Sequence, residues 1–152
     1  MMELAKLTAT FLGIGYIQKG AGTIAALMVC IAWYYFPVLG SNTGLSLSLI
    51  AFQLIVGVWS ASRVEAIWGE DSNKVVIDET LGMSLTLFLI PINFWNLLWA
   101  FLLFRFFDIL KPLFIRKAEN LPSGWGVMAD DVLAGVYANL IMQLLLYFQL
   151  VR

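Results

Sequence analysis

The sequence predicts an all-α membrane protein, a small helical bundle with about three full spans plus a broken or re-entrant helix pair. Hydrophobic residues make up 61% of the 152 residues and charged residues only 12%, against roughly 25% charged residues in a soluble domain. Three stretches also lack charged residues over about 20 residues, the length that a spanning helix needs. A chain of this length is expected to form one domain, residues 1–152.

The first charge-free stretch, residues 20–62, predicts a helical hairpin that crosses the membrane and returns. Pro37 and the small residues that follow it divide this stretch into two apolar runs, residues 22–36 and 43–60. Residues 1–20 precede the hairpin and carry Lys6 before a short apolar run. We expect them to form an interfacial amphipathic helix.

The second charge-free stretch, residues 80–104, predicts the broken pair. Pro91 and Asn93 interrupt its middle, and each half of about eleven residues is too short to span alone. Such a break must pack against other helices, because lipid cannot satisfy the freed backbone groups. The last stretch, residues 132–151, is long enough to cross once.

This threading places eight of the nine basic residues on one side and leaves Arg152 opposite. The positive-inside rule assigns that side to the cytoplasm. All ten acidic residues fall on the same side, which predicts a polar site at the cytoplasmic membrane surface, although loops also collect charges without any function. The net charge of -1 gives no reason to expect a nucleic-acid partner.

The residue types restrict the chemistry of such a site. The chain has no histidine, and Cys30 is its one cysteine, so histidine and cysteine nucleophiles with their usual partners are excluded. A Walker-type phosphate loop is absent as well. Metal-assisted hydrolysis remains.

Carboxylates at the edges of the apolar stretches are the candidate metal ligands. Hard oxygen ligands of this kind suit Mg²⁺, which is usually held by one or two carboxylates and by substrate phosphate oxygens. The predicted ligands are Asp78, Glu79, Asp108, Asp130 and Asp131.

Cationic side chains accompany these acids. Arg105, Asp108 and Lys111 are spaced three apart and would share one helix face, and Pro112 would stop that helix and direct Lys111 and Arg116 into the loop. The cations would then bind phosphate oxygens. A simple ion pair between Arg105 and Asp108 is the alternative.

Asp130 and Asp131 are expected to open the last helix. There they could serve only as helix caps, or they could bind a metal beside the other carboxylates. Gly135, one turn later, would allow another helix to approach closely.

Residues 19–23 form a small turn before the first apolar helix. Lys19 lies at its start and Thr23 at its end, and the free N–H groups of the turn could bind a phosphate. Taken alone, this Gly-x-Gly-Thr pattern is a weak signal.

Four motifs occur together in an order that resembles the phosphatidylglycerophosphatase A family over residues 13–137. They are Gly-Ala-Gly-Thr at 20–23, Val-Ile-Asp-Glu-Thr-Leu-Gly-Met at 76–83, Arg-Phe-Phe-Asp-Ile-Leu-Lys-Pro at 105–112 and Asp-Asp-Val-Leu-Ala-Gly at 130–135. Many relatives carry proline where Ala21 stands, so this loop is expected to be less rigid.

The resemblance implies a magnesium-dependent lipid phosphatase of the bacterial inner membrane. Its reaction would be hydrolysis of phosphatidylglycerophosphate to phosphatidylglycerol and phosphate, with the active site facing the cytoplasm. In this hypothesis the carboxylates hold Mg²⁺ and supply a base, while Arg105 and Lys111, with Arg116 or Lys19, bind the phosphate.

Two alternatives stay open at this stage. One is a CDP-alcohol phosphotransferase-like enzyme, although its Asp-Gly-x-x-Ala-Arg opening is missing. The other is a small membrane transporter with an acidic ion site, which would carry charges at the membrane midplane.

Overall fold

The computed structural model describes residues 1–17, 19–70, 72–118 and 120–151. These residues form helices and no strand, as predicted. The α-helices are α1 Met2–Ala9, α2 Ala21–Tyr35, α3 Val38–Ser41, α4 Thr43–Trp68, α5 Ile77–Leu87, α6 Phe94–Leu110, α7 Ile115–Ala118 and α8 Gly124–Tyr147, and a 3₁₀ turn covers Ile14–Tyr16.

Two of the described helices are long and apolar enough to cross a membrane, namely α4 with 26 residues and α8 with 24. Helix α2 has 15 residues, which at 1.5 Å per residue gives about 22 Å, short of the roughly 30 Å hydrocarbon core. It ends just before Pro37, whose ring cannot continue the helix. The expectation of three full spans is therefore not confirmed.

Residues 80–104 do not form one continuous helix but a helical hairpin. Helix α5 ends at Leu87 and α6 begins at Phe94, and the segment between them contains Pro91. The chain thus reverses direction, so that Asp78 at the start of α5 and Asp108 near the end of α6 line the same cavity. This arrangement agrees with the predicted broken pair.

Amide side chains on α8 satisfy carbonyl groups at the break. Asn139 donates from Nδ2 to the carbonyl oxygens of Thr86 at 3.0 Å and Phe88 at 2.7 Å. Gln143, one turn later, donates to the carbonyl oxygen of Leu89 at 3.5 Å. The break in α5–α6 is therefore supported by side chains of the neighbouring helix rather than left to lipid.

Asparagine side chains also stabilise the start of α6. Asn93 Oδ1 accepts from the backbone N–H of Asn96 at 2.9 Å, which satisfies one of the free N–H groups at this helix end. The buried side chain of Asn96 donates to the carbonyl oxygen of Pro91 at 2.9 Å. The side chains of Asn93 and Asn96 thus stabilise the turn between Pro91 and α6.

Helix α5 packs mainly against α8, and glycines bring the two backbones together. A Cβ atom at Gly135 would collide with the carbonyl oxygen of Gly82, and one at Gly82 would lie 2.7 Å from the carbonyl oxygen of Asp131 and 2.5 Å from the Phe104 ring. The close approach expected at Gly135 is thus present. It depends on the absence of a side chain on both helices.

The N-terminal helix α1 packs on α4 through Ala5 and Ala9, which are both fully buried. The carbonyl oxygen of Ala9 accepts from the backbone N–H of Val76 at 2.9 Å, and this bond links α1 to the segment that enters α5. Leu4 and Leu7 remain exposed on α1. An amphipathic helix at the membrane surface stays the expectation for this segment.

The α5–α8 contact yields a first prediction. Gly135→Ala places a methyl group against the backbone of Gly82, and overpacking of this kind costs about 1–3 kcal/mol. We expect a lower midpoint of thermal unfolding in detergent micelles. Gly44→Ala is the matched control, because its Cβ meets only Asn42 Oδ1 at an ordinary 3.4 Å; equal midpoints for the two variants would contradict the contact.

The hydrogen bonds at the break yield a second prediction. Asn139→Leu removes two donors, each worth about 0.6–1.7 kcal/mol inside a membrane protein, whereas Gln143→Leu removes one long bond. We expect Asn139→Leu to lower the free energy of unfolding more than Gln143→Leu does, as measured by denaturant titration in micelles. A larger loss of unfolding free energy in Gln143→Leu than in Asn139→Leu would contradict the assigned role of Asn139 at the break.

Candidate active site

The predicted acidic and basic residues meet in one open cavity of about 440 Å³. It lies at the end of the bundle that contains the starts of α2 and α5, the second turn of α8 and the end of α6. Its lining is mainly polar. The sequence-predicted residues that line it are Lys19, Thr23, Asp78, Glu79, Arg105, Asp108, Lys111, Asp130 and Asp131.

Three carboxylates form the centre of this cavity. Asp78, Glu79 and Asp131 each offer one oxygen, and these oxygens all lie within 4.8 Å of one another. Asp78 and Glu79 stand in the first turn of α5, and Asp131, which is 2% exposed, comes from α8. Two helices thus contribute to one cluster.

Glycines make this convergence possible. Gly22, in the first turn of α2, has the Glu79 carboxylate where a Cβ atom would stand, so a larger residue there would displace Glu79. Gly82 and Gly135 lie one helical turn beyond Asp78 and Asp131, on the same helix faces. The close backbone contact of α5 and α8 therefore lies next to the cluster.

The electrostatics of the cluster call for a positive charge. Burial, and then the neighbouring Glu79 carboxylate, raises the pKa of Asp78 well above its usual range, and burial also raises the pKa of Glu79. Among the described residues, Asp78 Oδ1 and Glu79 Oε2 are buried without a hydrogen-bond partner. Unpaired buried oxygens of this kind are costly unless a cation or a proton compensates them.

Two cations stand beside the cluster, each with its own acid. Arg105 forms an ion pair with Asp108 on the same face of α6, and Lys111 Nζ lies 2.6 Å from Asp130 Oδ2. Both pairs also line the cavity. Arg105 and Asp108 can therefore form an ion pair and also belong to the site.

The backbone explains the position of Lys111. The residue ends α6 in the left-handed conformation, with φ 44° and ψ 51°, and its N–H donates to the carbonyl oxygen of Phe107 at 2.8 Å. Pro112 then prevents the helix from continuing. The Lys111 side chain is consequently directed across to Asp130 on α8.

The structure corrects one sequence-based interpretation. Asp130 and Asp131 do not open the last helix, because α8 begins at Gly124 and its N-cap is Ser123. Both aspartates lie in the second turn and are buried, so they are not helix caps. The helix start was predicted too late because the charges of Asp130 and Asp131 were taken to mark it. Residues 124–129, which carry no charge, already belong to the helix.

Arg116 is the one predicted site residue that does not line the cavity. It lies in the short helix α7 and is exposed. Lys19 and Thr23 reach the cavity at the start of α2, where Gly20 precedes the helix in the left-handed conformation. A role in substrate binding stays a prediction for all three residues.

The sequence analysis missed two polar residues of the cavity wall, Ser72 and Asn73, which precede α5. It also missed an adjoining cleft of about 400 Å³, which contains Glu65 and Ser123 and shares Asp130 with the main cavity. Ser123 Oγ donates to Glu65 Oε2 at 2.5 Å. No motif in the sequence marked these residues.

The donor set fits a hard divalent cation. Carboxylate oxygens are the ligands that Mg²⁺ prefers, and it usually needs few of them when a phosphate supplies the others. Asp78, Glu79 and Asp131 would hold the ion through their clustered oxygens. Asp108 and Asp130 are positioned around them but engage Arg105 and Lys111.

Comparison with known proteins identifies the family of this chain. The chain matches the family Phosphatidylglycerophosphatase A over residues 7–146. A Haemophilus influenzae Phosphatidylglycerophosphatase A is 38% identical over 95% of this chain and 90% of its own, and the Escherichia coli protein of that name is 32% identical over 86% and 76%.

A Bacteroides thetaiotaomicron protein, provisionally named phosphatidylinositol-3-phosphatase, is 41% identical over 91% of both chains. No solved structure is significantly similar to the chain. Because the family match covers nearly the whole sequence and includes every residue of the carboxylate cluster, the chain belongs to the phosphatidylglycerophosphatase A family.

Proposed function

We propose that the chain is a magnesium-dependent phosphatase that hydrolyses phosphatidylglycerophosphate to phosphatidylglycerol and phosphate at the cytoplasmic surface of the bacterial inner membrane. The observation that carries this proposal is the convergence of Asp78, Glu79 and Asp131 within 4.8 Å in a cavity that Arg105 and Lys111 also line. Clustered acids suit Mg²⁺, and the adjacent cations suit a phosphomonoester.

Bound Mg²⁺ would neutralise phosphate charge and make a water molecule more acidic. The carboxylates of this chain then have two tasks, to hold the ion and to accept a proton. As water attacks phosphorus, one carboxylate takes the proton, the bond from phosphorus to the glycerol oxygen breaks, and the proton passes to that oxygen. Phosphate and a lipid alcohol are the products.

Arg105 and Lys111 stabilise the negative charge that grows on the phosphate oxygens. Arg105 lines the cavity beside the carboxylate cluster, and its guanidinium would donate to phosphate oxygens there. Lys111 pairs with Asp130, and its ammonium group would donate both to Asp130 and to the phosphate. Such donors act strongly in a site from which water is partly excluded.

The start of α2 offers a further phosphate contact. The first N–H groups of a helix lack intrahelical partners, and the N-cap residue of α2, Gly20, has no side chain that could satisfy them. Ala21, Gly22 and Thr23 supply those groups at the cavity wall. The positive end of the helix dipole favours an anion at this position.

The distribution of basic residues supports a cytoplasmic orientation of the site. Lys19, Arg105 and Lys111 line the cavity, and Arg63 lies near the end of α4, whose Glu65 lines the adjoining cleft. Basic residues near the ends of spanning helices favour the cytoplasmic side. The headgroup could therefore reach the site while its acyl chains stay in the membrane.

A 3-phosphoinositide is the second candidate substrate, favoured by the name of the Bacteroides relative. Both lipids present a phosphomonoester on a polyol, so the same carboxylates and cations would serve. Phosphate release measured with each lipid in parallel decides between them. Family membership favours hydrolysis over the phosphotransferase and transporter alternatives.

Removing a carboxylate of the cluster tests the proposal. Asp78→Asn and Asp131→Asn each weaken ion binding, and we expect phosphate release from phosphatidylglycerophosphate to fall by about 10²-fold or more. A chelator should abolish wild-type activity, and added Mg²⁺ should restore it. The control is Glu65→Gln in the adjoining cleft, which should stay within about threefold of wild type.

Two results would count against this assignment. One is wild-type hydrolysis that continues unchanged in the chelator, and the other is full activity of both asparagine variants. Circular dichroism and the midpoint of thermal unfolding of each variant separate a chemical defect from a folding defect.

Removing a cation tests phosphate binding. Lys111→Met should lower kcat/KM by about 10–10³-fold, as the loss of an electrostatic donor commonly does. Lys117→Met on α7 is the matched control, because Lys117 is exposed and contacts the Phe114 ring outside the cavity. A loss of the same size in both variants would mean that general surface charge, not the site, attracts the substrate.

A further inference from the structure

An apolar groove of about 250 Å³ runs along the outside of the bundle between α2 and α6. The buried side chains of Cys30 and Leu97 form its floor, and the exposed side chains of Leu27, Ile31 and Leu98 form its walls. The lining presents almost only carbon atoms. The α2–α6 groove is therefore a concave apolar surface on the outside of the bundle.

The groove begins one helical turn below the active-site cavity on both helices. Thr23 lines the cavity and Leu27, four residues later, lines the groove; Arg105 lines the cavity and Phe101, four residues earlier, lines the groove. Residues four apart share a helix face. The cavity and the groove thus lie on the same faces of the same two helices.

The length and direction of the groove suit a hydrocarbon chain. From Leu27 to Tyr35, α2 advances eight residues, or about 12 Å at 1.5 Å per residue. Along this path the helices lead away from the polar cavity. A molecule with its phosphate in the cavity would have its apolar part directed into the groove.

We propose that the α2–α6 groove binds an acyl chain of the phospholipid substrate while the headgroup occupies the cavity. The inference rests on the proposed function, since it requires a lipid whose phosphate enters the cavity. It adds a second binding site, specific for hydrocarbon. The occupant follows from the geometry, because one lipid molecule supplies both the anionic and the apolar group.

The groove acts by orientation rather than by affinity. Lipid tails are as apolar as leucine side chains, so an acyl chain gains little free energy by moving from the bilayer into the groove. Holding the chain nevertheless restricts how the headgroup can turn, and small displacements of a reacting group cost large factors in rate. The groove should therefore affect kcat/KM for long-chain lipids specifically.

Other exposed apolar residues differ from those of the groove. Leu47, Phe52 and Ile55 lie exposed on α4, and they belong to a single helix. No residue of α4 lines the active-site cavity. This face is an ordinary lipid contact and provides the control.

Filling the groove tests the proposal by kinetics. Ile31→Trp and Leu98→Trp, from opposite walls, should lower kcat/KM for long-chain phosphatidylglycerophosphate by about tenfold through misplacement of the headgroup. Both should turn over the deacylated headgroup, which has no chain, at the wild-type rate. Ile55→Trp on α4 should change neither reaction.

The possible results separate the two proposals. A wild-type protein that hydrolyses neither substrate overturns the proposed function, and photo-crosslinking without turnover then decides whether the groove binds the chain. If the two groove variants match Ile55→Trp on the long-chain lipid, the groove assignment fails. If they lose activity equally on both substrates, it also fails, because the damage then lies in the cavity or the fold.

Photo-crosslinking tests the groove without any turnover. The probe is a phospholipid with a diazirine in one acyl chain and a non-hydrolysable phosphonate headgroup, and the control lipid has the same chain with a choline headgroup. Anchoring the headgroup raises the local concentration of the chain at the groove, so labelling of 27–31 and 98–101 should rise about fivefold over the control. Labelling of Leu47 and Ile55 should be the same for both lipids.

Equal labelling of the groove by the phosphonate and choline lipids would overturn the assignment, since the groove would then hold bulk lipid. If the phosphonate lipid labels the groove selectively but Ile31→Trp and Leu98→Trp keep the wild-type kcat/KM, the groove binds the chain without any role in catalysis, and the proposal fails in that part.

Discussion

The structure depends on the satisfaction of backbone groups where α5 and α6 are interrupted. Hydrocarbon offers no hydrogen bonds, so a break at membrane depth is stable only if protein groups replace water. Here Asn139 and Gln143 of α8 donate to carbonyl oxygens at the end of α5. Without them, a continuous helix would be the better solution for this apolar stretch, and Asp78 and Asp108 would be carried apart.

The active-site cavity shows the opposite balance, an excess of unsatisfied charge. Three carboxylates converge in a largely buried cluster, and the two nearest cations are each engaged with a different acid. A protein that folded only for stability would not gather acids in this way. In the proposed function, a divalent cation and a phosphate would compensate the charge of this cluster.

Much of this arrangement could be predicted from the sequence, because charges are excluded from hydrocarbon and therefore mark the ends of apolar helices. That rule placed Asp78, Asp108 and Asp131 at one end, and Pro91 marked the break. It failed for α8, because this helix begins at Gly124 and carries Asp130 and Asp131 in its second turn, so these charges do not mark its start. It also assigned a full span to the apolar run 22–36, although a run of that size gives a helix of only 15 residues.

Other features could not be predicted, because they join residues distant in sequence. Nothing near Asn139 indicates that its amide binds carbonyl groups 51 and 53 residues earlier. Ser72 and Asn73 belong to a loop without a motif, and only the fold brings them to the cavity. The groove between α2 and α6 arises likewise from how two helices diverge, not from either sequence alone.

The contact between Gly82 and Gly135 would affect the ion selectivity of the proposed Mg²⁺ site. Side chains usually adjust a metal site by rotation, but here backbone atoms in contact limit how much closer α5 and α8 can come. The spacing of Asp78 and Asp131 is thereby tied to a rigid part of the molecule. Mg²⁺ binds oxygen at 2.0–2.1 Å and Ca²⁺ at 2.3–2.6 Å, so in the proposed site a fixed minimum spacing of the two helices would discriminate between these ions by radius.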